Sequence, residues 1–529
     1  MSIQDGAIIG DPAWTEYRKK NGLDPLGMQN SSVNLYQTFL PGVSNVTLRM
    51  RYYGLYAWLC RTYAQRNGDT DPASWRRVVR RAEAIYALTA QQHGGEGGVA
   101  GIEWAQRILA TESDPIEFAP STDPARKDGT DNYLAQEWGA YGAAYRSQLA
   151  EIGILGEVPG HDLPAPTPEM GNRLADAFAE AVGSAAELYY DVVLSGRVTR
   201  AQLDQFGVMA PSKIGIEGAE RSVYEDLLLN PSKPEDVRPF ARRRTFLLIL
   251  KIAALLGRDP TPDEVRWILY AGQDSKGQVL DLNSAELEAH RQRWWVYHAN
   301  DLCHVAFETL LKFMLDILGE TPTGITLERL IPICADRLLA GADATPKDWT
   351  SFVDLVRPAD NAYSAQDTDS EWALSVQIMR HAGRLEGLCD EKTAWNAVKL
   401  LAILNRRLRD DDRGMPAVLG AGPDTALRSL LTERRFLDRH SDSPFPEFLC
   451  RLFEERIVQR HLWVALMKLR AGDYTYLIER DEGRFRLREK DGPVFTNPRL
   501  GPAIAFLRDI HLIGAEGLTA LGVAAMGDA

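Results

Sequence analysis

The helical period of its apolar residues is the feature that most constrains the fold of this chain. Apolar side chains recur at intervals of three and four residues in ten segments, most of which begin at a plausible capping residue. Few stretches alternate between apolar and polar residues as a half-buried strand does. The ten segments are 44–66, 73–92, 101–111, 131–153, 169–194, 240–257, 284–318, 370–387, 391–409 and 446–470. The sequence therefore predicts a mainly α protein.

Chain length and composition predict several domains. The 529 residues suffice for two to four domains with separate cores. The stretch 158–168 contains four prolines, and 410–423 is rich in Gly, Asp and Pro, so both are predicted to be boundaries. The helical domains expected on this basis cover residues 1–157 and 169–409. A third unit is expected over residues 424–529.

The C-terminal unit departs from the helical pattern. Residues 474–479 and 484–489 have strand character around a turn, which predicts a β-hairpin. A helix capped by Asn497 is expected to run to about His511, and 514–522 predicts a turn followed by a short tail helix. This small α+β unit resembles the ends of winged-helix domains, but its hairpin precedes the last helix. The order of elements favours a capping subdomain over a DNA reader.

The net charge of −13 argues against a protein that coats nucleic acid through bulk electrostatics. Three local clusters of arginine could still build a specific groove if two of them converge. The alternative is that each cluster is a solvated helix face with acidic neighbours. The clusters are Arg76, Arg77, Arg80 and Arg81; Arg238, Arg242, Arg243 and Arg244; and Arg406, Arg407 and Arg409.

The sequence predicts a cytoplasmic protein without a membrane segment. The best apolar run, 245–256, is short and contains Lys251, and the N-terminus lacks the basic and apolar regions of a signal peptide. Five scattered cysteines exclude a disulfide framework and a cysteine-based zinc module, which fits a reducing compartment. They are Cys60, Cys303, Cys334, Cys389 and Cys450.

The segment 40–58 places an arginine among apolar neighbours. A turn at Pro41-Gly42 precedes a helix on which Arg49 shares an arc with Tyr53 and Tyr56, whereas Arg51 falls on the opposite side. A buried guanidinium needs a carboxylate, carbonyl or phosphate partner. The pattern predicts either an internal ion pair or a site for an anion or a partner. The residues of that site are Arg49, Arg51, Tyr53 and Tyr56.

The same segment resembles certain uncharacterised bacterial proteins found among anti-phage defence and mobile-element genes. The likeness covers about a tenth of the chain and one motif, formed by Leu40, Pro41, Gly42, Thr47, Arg49, Arg51, Tyr52, Tyr53 and Trp58. It implies a cytosolic bacterial setting and a nucleic-acid or protein partner in a defence complex. It transfers no catalytic residue and no cofactor.

The helix predicted around 294–315 carries the richest polar constellation. Opposite its apolar arc it gathers His298, Asp301, His304, Glu308 and Lys312. Neighbouring carboxylates could orient an imidazole, and two histidines with two carboxylates could begin a Zn²⁺ or Mn²⁺ site of a metal-assisted hydrolase. The alternative is a solvated or interdomain face of an amphipathic helix. The sequence leaves open whether the protein is an enzyme.

An arginine followed five residues later by a histidine occurs three times, at Arg293–His298, Arg435–His440 and Arg456–His461. This spacing resembles the motif of HEPN ribonucleases, helical proteins whose arginine and histidine cleave RNA without a metal. By this resemblance Arg293 and His298 would be catalytic. The chain departs from the family pattern at Trp294, where a polar residue is usual.

Overall fold

The computed structural model describes residues 24–125, 132–231, 237–383, 387–409, 411–420 and 428–527. The chain is 61% helix and 7% strand, which confirms the mainly α prediction. No helix among these residues is long and apolar enough to cross a membrane.

The helices of the first half follow most of the predicted segments. They are α1 (Gln29–Phe39), α2 (Arg51–Arg66), α3 (Pro72–Gln92), α4 (Ile102–Thr111), α5 (Arg146–Glu151), α6 (Gly171–Val182), α7 (Ala185–Ser195), α8 (Arg200–Gln205), α9 (Ala219–Leu229), α10 (Val237–Leu256) and α11 (Pro262–Ala271). A π-helical turn, Tyr141–Tyr145, leads into α5. The segment predicted as one helix over 169–194 is two helices, because Gly183 has a φ of +57° between α6 and α7.

The second half is arranged around one long helix. Its helices are α12 (Ala285–Gly319), α13 (Leu327–Ala340), α14 (Trp349–Leu355), α15 (Glu371–Ala382), α16 (Glu391–Arg407), α17 (Met415–Leu419), α18 (Leu430–Arg439), α19 (Phe445–Arg451), α20 (Gln459–Arg470), α21 (Leu500–Asp509) and α22 (Ala520–Gly527). A π-helical stretch, Leu452–Val458, joins α19 to α20. The central α12 packs against α1, α10, α11, α15 and α16.

Strands are short and pair in small antiparallel sheets. They are β1 (Ile116–Glu117), β2 (Leu155–Val158), β3 (His161–Pro166), β4 (Arg197–Val198), β5 (Ile325–Thr326), β6 (Ile478–Asp481), β7 (Arg484–Leu487), β8 (Ile513–Gly514) and β9 (Gly517–Leu518). β1 pairs with β4, β2 with β3 and β8 with β9, and the remaining sheet has the order β5-β7-β6.

The C-terminal hairpin is confirmed, with Ile478 opposite Leu487 and Asp481 opposite Arg484. The helix predicted to start after Asn497 instead starts at Leu500, because Arg499 adopts a left-handed conformation at φ +65°. The predicted tail contains β9 and α22.

The predicted early linker is wrong as a description of local structure. Its prolines lie in and beside β3, which pairs with β2 and packs against α2. Proline has no backbone N–H to donate to a neighbouring strand. It is tolerated in β3 because each strand of a two-stranded hairpin has one edge without a hydrogen-bonded neighbour. One buried apolar cluster extends through the described parts of all three predicted domains. The domain boundaries therefore stay predictions, and residues 410 and 421–423 of the late boundary lie outside the described residues.

Candidate functional site

The polar face of α12 is buried, so the prediction of a solvated helix face is wrong. Ser284 begins the helix by accepting a hydrogen bond from the Leu287 N–H. Side chains and backbone groups from α1, α11 and the stretch 490–496 cover the polar residues. The buried polar residues are His298, Asn300, Asp301, His304, Glu308, Lys312 and Asp316.

Asp301 connects α12 to α11 and to the C-terminal unit. Its carboxylate accepts hydrogen bonds from the Thr496 N–H at 3.1 Å and from the Thr496 hydroxyl at 2.9 Å. The guanidinium of Arg266, in α11, lies 3.7 Å away. Two donors and one positive charge therefore hold this buried carboxylate in place.

His304 lies between two carboxylates of its own helix. Its Nδ1 is 3.4 Å from Asp301 Oδ1, and its Nε2 is 2.9 Å from Glu308 Oε1. Nε2 is close to Glu308 but not aligned with it, so this buried nitrogen makes no hydrogen bond. Burial alone would lower the pKa of His304, but Glu308 and Asp301 outweigh it and raise the pKa to about 10. The imidazole is therefore cationic at neutral pH unless another cation replaces its proton.

Asp24 approaches this pair from the N-terminal side. One oxygen of Asp24, one ring nitrogen of His304 and one oxygen of Glu308 all lie within 4.8 Å of one another, and the three residues are buried. Asp24 is held in place because its Oδ1 accepts hydrogen bonds from the N–H groups of Met28 and Gln29. Burial raises the pKa of Glu308, the positive His304 lowers it, and the charge of Asp24 raises it again. Asp24 was not predicted as a site residue, since nothing in the local sequence links it to α12.

His298 does not join this group. Its ring is enclosed by Trp267, Tyr270 and Phe495, with ring centroids 4.4, 5.0 and 5.9 Å away. Neither ring nitrogen has a hydrogen-bond partner among the described residues, and burial lowers the pKa of His298 well below its usual value. The imidazole is therefore neutral and has no polar neighbour in position for proton transfer.

Arg293 and His298 do not face a common point. Two residues five apart on an α-helix project roughly 140° apart. The guanidinium of Arg293 lies 5.2 Å from the ring centroid of Phe39, whereas His298 is enclosed on another side of α12. That Arg293 and His298 are the catalytic pair of a metal-independent ribonuclease stays a prediction. Their positions on different sides of α12 do not favour it.

The other two Arg–His pairs have structural contacts. His461 is buried and accepts the N–H of Leu477 at 2.9 Å, while its other nitrogen contacts the carbonyl of Pro25. Arg456 lies over the ring of Phe436. The ring of His440 packs against the same phenylalanine.

Arg49 forms an ion pair, as one of the two alternatives predicted. It precedes α2 and contacts Asp509 of α21 at 3.0 Å and, at 2.9 Å, Glu96 of the glycine-rich loop 93–101 between α3 and α4. Asp509 also accepts the Met50 N–H at 2.8 Å, so a residue distant in sequence is bonded to the backbone just before α2. Burial raises the pKa of Asp509, and Arg49 lowers it.

We expect Arg49→Ala to lower the free energy of unfolding by about 2 kcal/mol, because the carboxylate of Asp509 loses its countercharge while it stays buried. Differential scanning calorimetry of the two proteins measures the change. An unchanged melting temperature would contradict a structural role for this ion pair.

Arg51 is the more deeply buried arginine, which corrects its predicted place on the outer side of the helix. Its guanidinium pairs with Glu220 at 2.9 Å and donates to the carbonyls of Val208 and Ala210. Arg51 is buried although it lies opposite the apolar arc, because α2 is buried on all sides from Arg51 to Cys60. The side opposite the apolar arc faces α6 and α9 rather than solvent.

Tyr53 and Tyr56 also have partners within the protein. The Tyr53 hydroxyl donates to the carbonyl of Gly42 at 2.7 Å, and the Tyr56 hydroxyl donates to Glu83 at 2.8 Å. Burial raises the pKa of Glu83 to about 7, although Tyr56 and two backbone N–H groups lower it. Protein groups therefore neutralise both arginines of the motif, and no bound anion is needed for that purpose.

The basic clusters are used largely inside the protein. Arg80 donates to three backbone carbonyls and Arg242 to two. Arg407 pairs with the buried carboxylate of Glu371, and Arg406 and Arg409 share Asp354. These contacts hold segments of the fold together, so they do not favour a nucleic-acid groove.

An apolar helix face on α20 was missed by the sequence analysis. Trp463, Leu466 and Met467 follow the spacing of one helix side and are 46%, 40% and 42% exposed. The guanidinium of Arg428 lies 4.0 Å from the ring centroid of Trp463. Arg470, one turn further along the same side, is exposed. The sequence signal was present in the periodicity, but the pattern does not show which side of a helix is covered.

Comparisons with known proteins give no match: no family profile, no curated protein and no solved structure resembles the chain at the level required for a relationship.

Proposed function

We propose that this protein is a partner-binding component of a bacterial anti-phage defence or mobile-element system, acts in the cytoplasm, and binds a protein partner through α20. The setting rests on the N-terminal motif, and the binding mode rests on the α20 face. Its exposed Trp463, Leu466 and Met467 are the single observation that carries the proposal.

The α20 face has the composition of an interface. Trp and Met are enriched at the centres of protein interfaces, and arginine is frequent there. Exposed apolar groups that adjoin one another on a helix mark binding sites more often than single exposed residues do. Arg428 and Arg470 add positive charge beside the face. The chemistry therefore fits an amphipathic helix of the partner with apolar residues flanked by carboxylates.

A protein partner is favoured over nucleic acid by the charge of the chain and the use of its arginines. The net charge is −13, and arginines of each predicted basic cluster bind internal carboxylates or carbonyls. Leu466 and Met467 offer aliphatic contact rather than a stacking platform for bases.

In this proposal the N-terminal motif connects elements of the fold and does not bind an anion. Arg49 connects α21 with the glycine-rich loop, and Arg51 connects α2 with α9. The C-terminal unit, which includes α20, makes the external contacts.

We expect the double variant Leu466→Asp/Met467→Asp to lose partner binding by at least tenfold, since two carboxylates would enter an apolar contact. The partners to test are the proteins encoded beside its own gene, co-expressed and measured by biolayer interferometry. Leu355→Asp is the matched control, because Leu355 is a 73% exposed leucine at the end of α14.

Binding of every neighbour to the double variant as tightly as to the wild type would refute the α20 interface. Titration with labelled single-stranded RNA and duplex DNA tests the nucleic-acid alternative, and light scattering tests a second copy of the chain. If the double variant differs from the wild type only in nucleic-acid binding, the partner is a nucleic acid. If it differs only in oligomeric state, the partner is a second copy of the chain.

A further inference from the structure

We propose that the protein binds one divalent transition-metal ion, Zn²⁺ or Mn²⁺, through Asp24, His304 and Glu308. The inference is independent of the α20 interface. It keeps two residues of the metal set considered from the sequence and replaces His298, which lies in its aromatic enclosure.

The spacing of the three groups fits a metal ion. Ligand atoms about 2.1 Å from one ion lie roughly 3.0–3.4 Å from each other. Nε2 of His304 and Oε1 of Glu308 are 2.9 Å apart, because residues four apart share one side of α12. An oxygen of Asp24 lies within 4.8 Å of a ring nitrogen of His304 and of an oxygen of Glu308, so Asp24 completes the set when its carboxylate moves closer on binding.

The contacts of His304 Nε2 are a second and independent observation. This nitrogen is fully buried and lies 2.9 Å from Glu308 Oε1, yet no group among the described residues is aligned to form a hydrogen bond with it. A buried polar atom without a partner costs free energy, and native structures rarely retain one without a role. A metal ion supplies the missing partner, since its bond to Nε2 does not require an N–H aligned with Glu308.

Asp301 provides the outer contact that metal-bound histidines commonly have. Its carboxylate faces Nδ1, the ring nitrogen opposite the proposed ion, at 3.4 Å. Such a carboxylate fixes the tautomer and the orientation of a ligating imidazole. Thr496 and Arg266 hold Asp301 in turn, so the arrangement extends beyond the ligands.

The charges of the surroundings favour a dication. Asp24 and Glu308 are two buried carboxylates, and Asp491 lies near enough to affect Glu308 electrostatically. Lys468, which donates to the backbone carbonyl of Asp24 at 3.0 Å, offsets one of these negative charges. One imidazole and two carboxylates form a mixed N/O set, which favours Zn²⁺ or Mn²⁺ over Ca²⁺.

The experiment measures metal uptake by the purified full-length chain. The protein is stripped with EDTA, dialysed against micromolar ZnCl₂ or MnCl₂, and its metal content is determined by elemental analysis. We expect one ion per chain and a melting temperature that rises by several degrees with the metal. Asp24→Asn and Glu308→Gln should each weaken binding at least a hundredfold, because a carboxylate ligand becomes a neutral amide.

Two further variants separate ligands from neighbours. Asp301→Asn should weaken binding tenfold to a hundredfold, as loss of an outer contact does. Glu286→Gln, an exposed carboxylate at the start of the same helix, should bind as the wild type does. The side-chain oxygen introduced by Asp24→Asn can still accept the N–H groups of Met28 and Gln29, so this variant decides the question even if Glu308→Gln does not fold. The proposal is overturned if the wild type takes up no stoichiometric metal, or if Asp24→Asn binds it unchanged.

Discussion

Arg51→Met is expected to lower the free energy of unfolding by about 3–5 kcal/mol. The guanidinium is fully buried and forms two hydrogen bonds with Glu220 and two with backbone carbonyls. Removing it leaves the Glu220 carboxylate buried without a countercharge, and burial already raises the pKa of that group. Equilibrium unfolding in urea, followed by far-ultraviolet circular dichroism, measures the effect.

An exposed arginine of α2, Arg66, provides the control variant. Arg66 pairs with Glu187 and Asp191, all of them at least a third exposed, so Arg66→Met should cost no more than about 1 kcal/mol. The double variant Arg51→Met/Glu220→Gln should recover part of the loss, because no unpaired charge remains and Gln still accepts from Tyr224. A loss below about 1 kcal/mol for Arg51→Met would contradict the buried ion pair.

Arg51 is an example of a residue in the N-terminal motif whose surroundings could not be predicted from the sequence. Apolar periodicity predicted the helix but placed its start at 44, whereas α2 begins at Arg51. Asp509, from the far end of the chain, accepts the Met50 N–H directly before this start. No local pattern contains that contact, and a helix buried on all sides has no outer face for a polar residue to indicate.

For the central helix α12, the bounds were predictable from local residues, whereas the burial of its polar face depends on residues distant in sequence. The segment 284–318 agrees with α12 to within one residue at each end, since a capping Ser284 and a long apolar repeat are local signals. The burial of its polar face was not predictable, because the groups that cover it come from α1, α11 and residues 494–496. Asp24 is the clearest case, because only the fold brings it beside His304 and Glu308.

The two hairpins differ for a related reason. The β6–β7 hairpin has a tight turn between strands of ordinary composition, so its sequence predicts it. The β2–β3 hairpin contains prolines, which indicated a linker, yet β3 packs against α2 with Leu163 buried. Packing against a neighbour, rather than strand propensity, stabilises it.

Glu83 should make the stability of the protein depend on pH near neutrality. The pKa of this buried carboxyl is about 7 in the folded chain, against 4.5 for an exposed glutamate. Between these values the folded protein holds a proton that the unfolded chain has released, so stability falls as pH rises. The contribution is fully present below pH 4.5 and is lost as pH passes 7. From pH 5.5 to pH 8 the loss is about 2 kcal/mol.

Glu83→Gln isolates this contribution from those of other titrating groups. The amide does not ionise, so the difference in unfolding free energy between wild type and variant should change by about 2 kcal/mol across the same interval. In the wild type the Ala140 N–H donates to Glu83 at 2.9 Å. The amide introduced by Glu83→Gln alters this contact and shifts the unfolding free energy by a constant amount, which does not affect its dependence on pH. Urea unfolding at half-unit steps of pH gives both quantities. Parallel pH profiles for the two proteins would show that Glu83 is ionised throughout, held by Tyr56 and by the N–H groups of Ala140 and Tyr141 despite its burial.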